Sequence, residues 1–178
     1  MNRYFETKVT ESNQTEPVTL EQVQEWCSVT SSDYDNLLTD LIKVARKRVE
    51  KYTHLSLVAK TVVVTAYLCE KSILPFPIIN SITSVEYLEG QELDGTNDWD
   101  VFTDDDYQLI GEQVKYFVPS IAGIYRITYT TLPFDEEDLL LDVKRVVNWM
   151  FRNRGDEQDA MPMSLMDNAK RYKIMTWG

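Results

Sequence analysis

Residues 17–57 read PVTLEQVQEWCSVTSSDYDNLLTDLIKVARKRVEKYTHLSL, and the reading of this stretch decides the fold. Thr19 and Gln22 have the T-x-x-Q spacing of a capping box, in which the threonine hydroxyl accepts an amide proton of the first turn and the glutamine reaches back to the cap. Leu20, Val23, Trp26 and Cys27 follow at helical spacing, so a first helix is expected near 19–29 with these side chains inside. Ser31, Ser32 and Asp33 offer caps for a longer helix near 33–52. Its expected buried side is Leu37, Leu38, Leu41, Ile42, Ala45, Val49 and Tyr52. Asp33, Asp35 and Asp40 come early and Arg46, Lys47, Arg48 and Lys51 late, the order the helix dipole favours.

Downstream the pattern changes. Residues 60–131 are rich in β-branched and aromatic runs broken by turn residues: 61–67 (TVVVTAY), 82–88 (ITSVEYL), 113–118 and 123–131 read as strands, and Trp99, Val101 and Phe102 as a short edge strand. Eleven acidic against four basic side chains in this region give a balance of −7, most of the chain's formal charge of −11. Helical spacing returns near 135–154, where Asp135 is expected to cap, Glu136, Glu137 and Asp138 fill the first turn, and Gly155 ends the helix. Leu139, Leu140, Val143, Val146, Val147, Met150 and Phe151 recur on its apolar face. The expected fold class is α+β: a small helical bundle with an antiparallel β region, about 60–131, inserted between its second and third helices.

Upstream, residues 1–17 are polar and end in Pro17, which reads as an extended arm of a single domain covering 1–155. Residues 156–178 form a C-terminal tail with a further turn or two from Ser164 and no evident core to join. Two readings of its end stay open: a fraying terminus, or an apolar and basic segment (Lys170, Arg171, Tyr172, Lys173, Ile174, Met175 and Trp177) that docks on a partner.

Composition narrows the function classes. An apolar fraction of 43% and a charged fraction of 26% belong to an ordinary globular protein of 178 residues. The net negative charge repels phosphate, so tight nucleic-acid binding is not expected, although a like-charged wall lets a polyanion slide past. The polar start and the lack of a long apolar run point to a chain made and kept in a cytoplasm, with no membrane. Cys27 and Cys69 lie in unrelated segments without metal-ligand spacing.

No catalytic constellation is legible. Asp94, Asp98, Asp100, Asp104, Asp105 and Asp106 invite a calcium reading, but the order around Gly95 is not that of an EF-hand, and a solvated acidic loop is the simpler account. His54 is the only histidine and has no cysteine or second histidine placed to pair with it. The six glycines include no phosphate or dinucleotide loop, and no serine sits in a G-x-S-x-G elbow. Arg46, Lys47 and Arg48 read as a solvated last turn rather than a phosphate site. No cofactor is expected.

Pro17-Val18-Thr19-Leu20, then Asp33-Tyr34-Asp35-Asn36-Leu37-Leu38, then 41–53 (LIKVARKRVEKYT), then 77–85 (PIINSITSV), and 146–154 (VVNWMFRNR) follow in an order that resembles the tailed-phage head-tail connector family, also called adaptor or head-completion proteins. The resemblance covers about residues 17–155, and the tail departs from it. It implies a structural subunit, not an enzyme. Such a subunit would sit in a neck ring of about twelve copies between the portal and a tail or stopper protein, each copy offering two different complementary faces. It further implies a channel that genomic DNA passes without specific binding, and a virion part assembled in the host bacterial cytoplasm. The alternative is an acidic binding module for calcium or a basic protein partner.

Overall fold

In a computed structural model the described residues are 2–11, 15–91, 97–103, 105–154 and 162–174. They fall into two compact units, the described residues of 1–14 and 58–133 forming one and those of 15–57 and 134–174 the other. The α+β class stands.

The β unit is built on a five-stranded antiparallel sheet in the order β1-β2-β8-β4-β5. The strands are β1 (Arg3–Glu11), β2 (Lys60–Leu68), β4 (Ile79–Gln91), β5 (Asn97–Phe102) and β8 (Gly123–Thr131). A smaller sheet in the order β3-β7-β6 adds β3 (Ser72–Ile73), β6 (Tyr107–Ile110) and β7 (Tyr116–Pro119). Strict alternation puts one side of each central strand inside, because successive side chains of a strand point to opposite faces. Val62, Val64 and Ala66 of β2 face Tyr129, Ile127 and Tyr125 of β8 in register. Leu74, Val85 and Phe117 close the same cluster.

Three tyrosine hydroxyls in this core find carbonyl partners: Tyr125 donates to Ile121 at 2.7 Å, Tyr129 to Pro75, and Tyr4 to Ile73. Burial pushes the Tyr4 and Tyr125 hydroxyls up to about 12, because the phenolate would lose its hydration. Two glycines are required by space. A Cβ on Gly123 would lie 2.2 Å from the Tyr87 ring, and one on Gly111, at φ +106°, 2.2 Å from the Val114 carbonyl oxygen.

The expected arm is thus, over Arg3–Glu11, an edge strand paired with β2. Its polar alternation at a sheet margin carries too little apolar signal to read as a strand. β3 and β6 also went unread for want of length, at two and four residues.

The helical unit contains α1 (Leu20–Cys27), α2 (Asp35–Thr53), α3 (Glu137–Arg152) and α4 (Ala169–Tyr172). The capping box of α1 is present, with Gln22 N–H donating to Thr19 Oγ1 at 3.3 Å and Thr19 N–H to Gln22 Oε1 at 3.1 Å. Ser31 caps a 3-10 turn, Ser32–Tyr34, rather than α2 itself. The start of α3 needs a correction: its cap position is Glu136, without a side-chain hydrogen bond, so Asp135 does not cap it. The helix stops at Arg152, with Asn153 N–H bonding the Trp149 carbonyl; the expected stop at Gly155 lies outside the described residues.

The buried face of α2 is Leu38, Ile42, Ala45, Arg46, Val49, Glu50 and Thr53. Leu37, expected inside, is exposed, and Leu41 and Tyr52 are only half-buried. The subunit's own core takes one stripe of this helix, the one through Leu38. Trp26 is likewise 44% exposed rather than core. Arg46, expected in a solvated turn, is buried in an ion-pair network: its Nε meets Glu16 Oε2 at 2.7 Å and its Nη1 meets Glu50 Oε2 at 2.9 Å. Glu50 Oε1 also accepts the Leu57 N–H at 2.8 Å. Pairing is what lets charged groups take core positions.

Candidate assembly surfaces

The segment expected to dock on a partner begins within the helical unit. Met166 and Ala169 are buried, and Asp142 on α3, itself fully buried, holds Ala169. Its carboxylate accepts from Ala169 N–H at 2.8 Å, Asn168 Nδ2 at 3.1 Å and Arg145 Nη1 at 3.2 Å. Burial raises the Asp142 pKa against the pull of these donors and of the Arg145 charge.

Tyr172 meets the edge of Phe134 at 5.5 Å, Lys173 Nζ lies 4.9 Å from the Tyr52 ring centre, and Ile174 N–H bonds the Thr53 carbonyl at 2.9 Å. So Tyr172 and Ile174 lie half-buried against the helical unit, beyond the buried Met166 and Ala169, where a tail with no core to join is expected. The signal missed was Asp142, a carboxylate on the apolar face of a helix that needed donors from elsewhere. Lys170 pairs with Asp167 at 2.5 Å and Arg171 with Asp138 at 3.6 Å, both side chains being more than half exposed. Met175 and Trp177 lie outside the described residues.

The acidic region is organised as turn chemistry. Asp106 Oδ2 accepts from both Thr103 N–H and Thr103 Oγ1 at 2.8 Å, and Asp100 Oδ1 accepts the Val101 N–H at 2.9 Å. Among the described residues no three of His, Cys, Asp and Glu converge as a metal group. Asp94 and Asp104 lie outside the described residues.

His54 is the left-handed residue that ends α2, at φ 61°, its N–H bonding the Glu50 carbonyl at 2.8 Å. Burial and then the Lys173 charge lower its pKa, the environment of a neutral terminating residue. The Cys27 thiol is buried, which raises its pKa although Arg152 opposes this. Neither cysteine is in a disulfide. No described helix is long and apolar enough to cross a membrane.

The helical unit leaves apolar surface uncovered. Leu37 and Val44 on α2 are 37% and 43% exposed, with Leu41 half-buried between them. An open cleft of about 410 Å³ lies between α1 and α3, lined by Gln22, Glu137, Asp138, Leu140, Leu141 and Lys144.

Residues 17–126 match the profile of a family described as phage gp6-like head-tail connector protein. Among curated proteins none matches the sequence. Several solved structures share the fold, among them three from gene transfer agent particles. One, from the neck of an empty gene transfer agent particle computed with C6 symmetry, aligns with a TM-score of 0.68 at 15% identity, over 96% of this chain and 98% of that one. A chain from the virion of the native gene transfer agent particle aligns at 0.65 and 13% identity, over 96% of this chain and 97% of that one. A chain from the neck of the native particle computed with C12 symmetry aligns at 0.64 and 15% identity, over 96% and 98%.

Proposed function

The chain belongs to the phage gp6-like head-tail connector family, and from that premise we propose that it is the repeated subunit of a closed ring in a virion neck, set between a portal and a tail or stopper protein. The match over residues 17–126 carries this reading, since it runs through α1, α2 and most of the β unit. Neck structures of the same fold, solved with sixfold and twelvefold symmetry, support a ring. A copy number of twelve follows the larger of these symmetries.

The subunit works by shape and adhesion, without catalysis. A formal charge of −11 suits a wall that DNA must pass without sticking, because affinity for the phosphate backbone comes from Lys and Arg. Assembly takes place in the host bacterial cytoplasm. The portal contact falls to the C-terminal segment through the outward Lys170, Arg171 and Lys173 together with Met175 and Trp177, while Tyr172 and Ile174 anchor that segment to its own subunit.

The test is electron microscopy of the purified protein mixed with its cognate portal. Rings stacked coaxially on the portal are expected. Monomers only, at micromolar concentrations of both, would sink the reading. The double substitution Lys170→Glu and Arg171→Glu should weaken portal stacking with little change in thermal unfolding; undiminished stacking would clear these residues of the role.

A further inference from the structure

Resting on the ring reading, we infer that neighbouring copies join through a second apolar stripe of α2, which enters the cleft between α1 and α3 of the next copy. Leu37, Leu41, Val44 and Arg48 recur at spacings of four, three and four residues. That is the seam by which one helix packs into another. At about 100° per residue this stripe, each position one residue before Leu38, Ile42, Ala45 and Val49, lies roughly 100° around α2 from that buried stripe, and only Leu41 of it is half-buried by the subunit's own core. Leu37 and Val44 stand 37% and 43% exposed, on a helix whose other outward positions are mostly polar or charged.

The cleft offers what such a stripe needs. Leu140 and Leu141 form its apolar floor, Glu137 and Asp138 set negative charge at one end, and Lys144, about two turns farther along α3, sets positive charge at the other. The α2 stripe changes along its length from apolar, at Leu37 to Val44, to cationic, at Arg48 and then Lys51. Apolar side chains against an apolar floor and cations toward carboxylates make the two surfaces complementary in both respects. Asp138 also meets Arg171 of its own chain at 3.6 Å, which leaves Glu137 as the outward carboxylate of the pair. The two surfaces share no residue. An interface between different patches of the same molecule is heterologous, the kind that closes rings by rotation.

Two variants test this. The first is Leu37→Glu with Val44→Glu, which puts charge on surface positions. Ring assembly should weaken by at least about a hundredfold, the loss expected when two apolar side chains of an interface are no longer buried, while thermal unfolding stays near the parent's. The second is Val44→Cys with Leu140→Cys, in a Cys27→Ala and Cys69→Ala background. Mild oxidation should give a covalent ladder beyond the dimer, because each copy contributes one cysteine to each of two neighbours, and neither single variant should give one. Normal rings from the glutamate variant and no ladder from the cysteine pair would overturn the interface and leave the ring reading standing. No rings from the parent with its portal, and no ladder, would overturn both. A ladder without portal binding would keep the interface and sink the neck assignment.

Discussion

Replacing Asp142 with Ala should loosen residues 162–174 from the helical unit, and the size of the effect follows from its partners. The carboxylate satisfies the Ala169 N–H, the Asn168 amide and Arg145. Ala169 is fully buried, so its orphaned N–H costs about 1–3 kcal/mol. Asn168 and Arg145, both partly exposed, can turn to water and lose less, about 1 kcal/mol together. Removing a buried carboxylate returns part of this, since its own desolvation is relieved. A net loss of about 1–3 kcal/mol results, and Asp142→Asn, which keeps one acceptor, should lose about half. The assay is urea unfolding followed by helical circular dichroism, with hydrogen exchange at Ala169 and Ile174 to localise the change. The pH dependence has a definite sign. Burial raises the folded pKa of Asp142 above its usual value, so the folded state binds the proton more tightly than the unfolded one. This contribution is fully present below the unfolded pKa and is lost as pH rises through the folded one. The parent's advantage over Asp142→Asn should therefore shrink between those two values. A stability change under about 0.5 kcal/mol for Asp142→Ala, with exchange of 162–174 unaltered, would refute the reasoning.

The remaining predictions concern both units. Glu50→Ala removes one partner of the buried Arg46 and orphans the Leu57 N–H, and thermal unfolding should show a loss of about 3–5 kcal/mol. Gly111→Ala meets the Val114 carbonyl at 2.2 Å in a positive-φ turn and should cost about 1–3 kcal/mol in chemical denaturation. Gly90→Ala, whose added Cβ would have nothing within 4 Å, should stay within about 0.5 kcal/mol as its control. The raised Tyr4 and Tyr125 hydroxyls favour the fold below their unfolded pKa near 10, and that stability drains as pH climbs toward about 12. Ultraviolet titration should accordingly show tyrosines ionising late, together with unfolding; full titration of a folded protein by pH 10.5 would contradict this.

What could be read without coordinates was whatever announces itself locally. The capping box at Thr19 and Gln22 and the charge gradient of α2 are statements about neighbours in the chain, and both are where they were expected. Strands β2 and β8 were legible because both are runs rich in β-branched and aromatic residues. β1 was not, because pairing supplies its order: eight register pairs with β2 hold a segment that is mostly polar and exposed. The C-terminal segment failed for a related reason, since its hold is a long-range one, from Asp142 to Asn168 and Ala169, 26 and 27 residues apart.

Helix α2 carries the sharper lesson. Apolar residues lie at Leu37, Leu38, Leu41, Ile42, Val44, Ala45 and Val49, enough for two stripes, and a single buried face was drawn through most of them. The structure separates them, burying Leu38, Ile42, Ala45 and Val49 and leaving Leu37 and Val44 out. A monomer that needed only its own core would gain from polar residues at 37 and 44, because exposed apolar side chains add nothing to folding and invite association. In a connector subunit the same positions have a use, since the neighbour supplies the second core. The surplus of apolar residues on α2 is thus the sequence's record of assembly, written over its record of folding, and periodicity alone could not tell the two apart because both repeat with the helix.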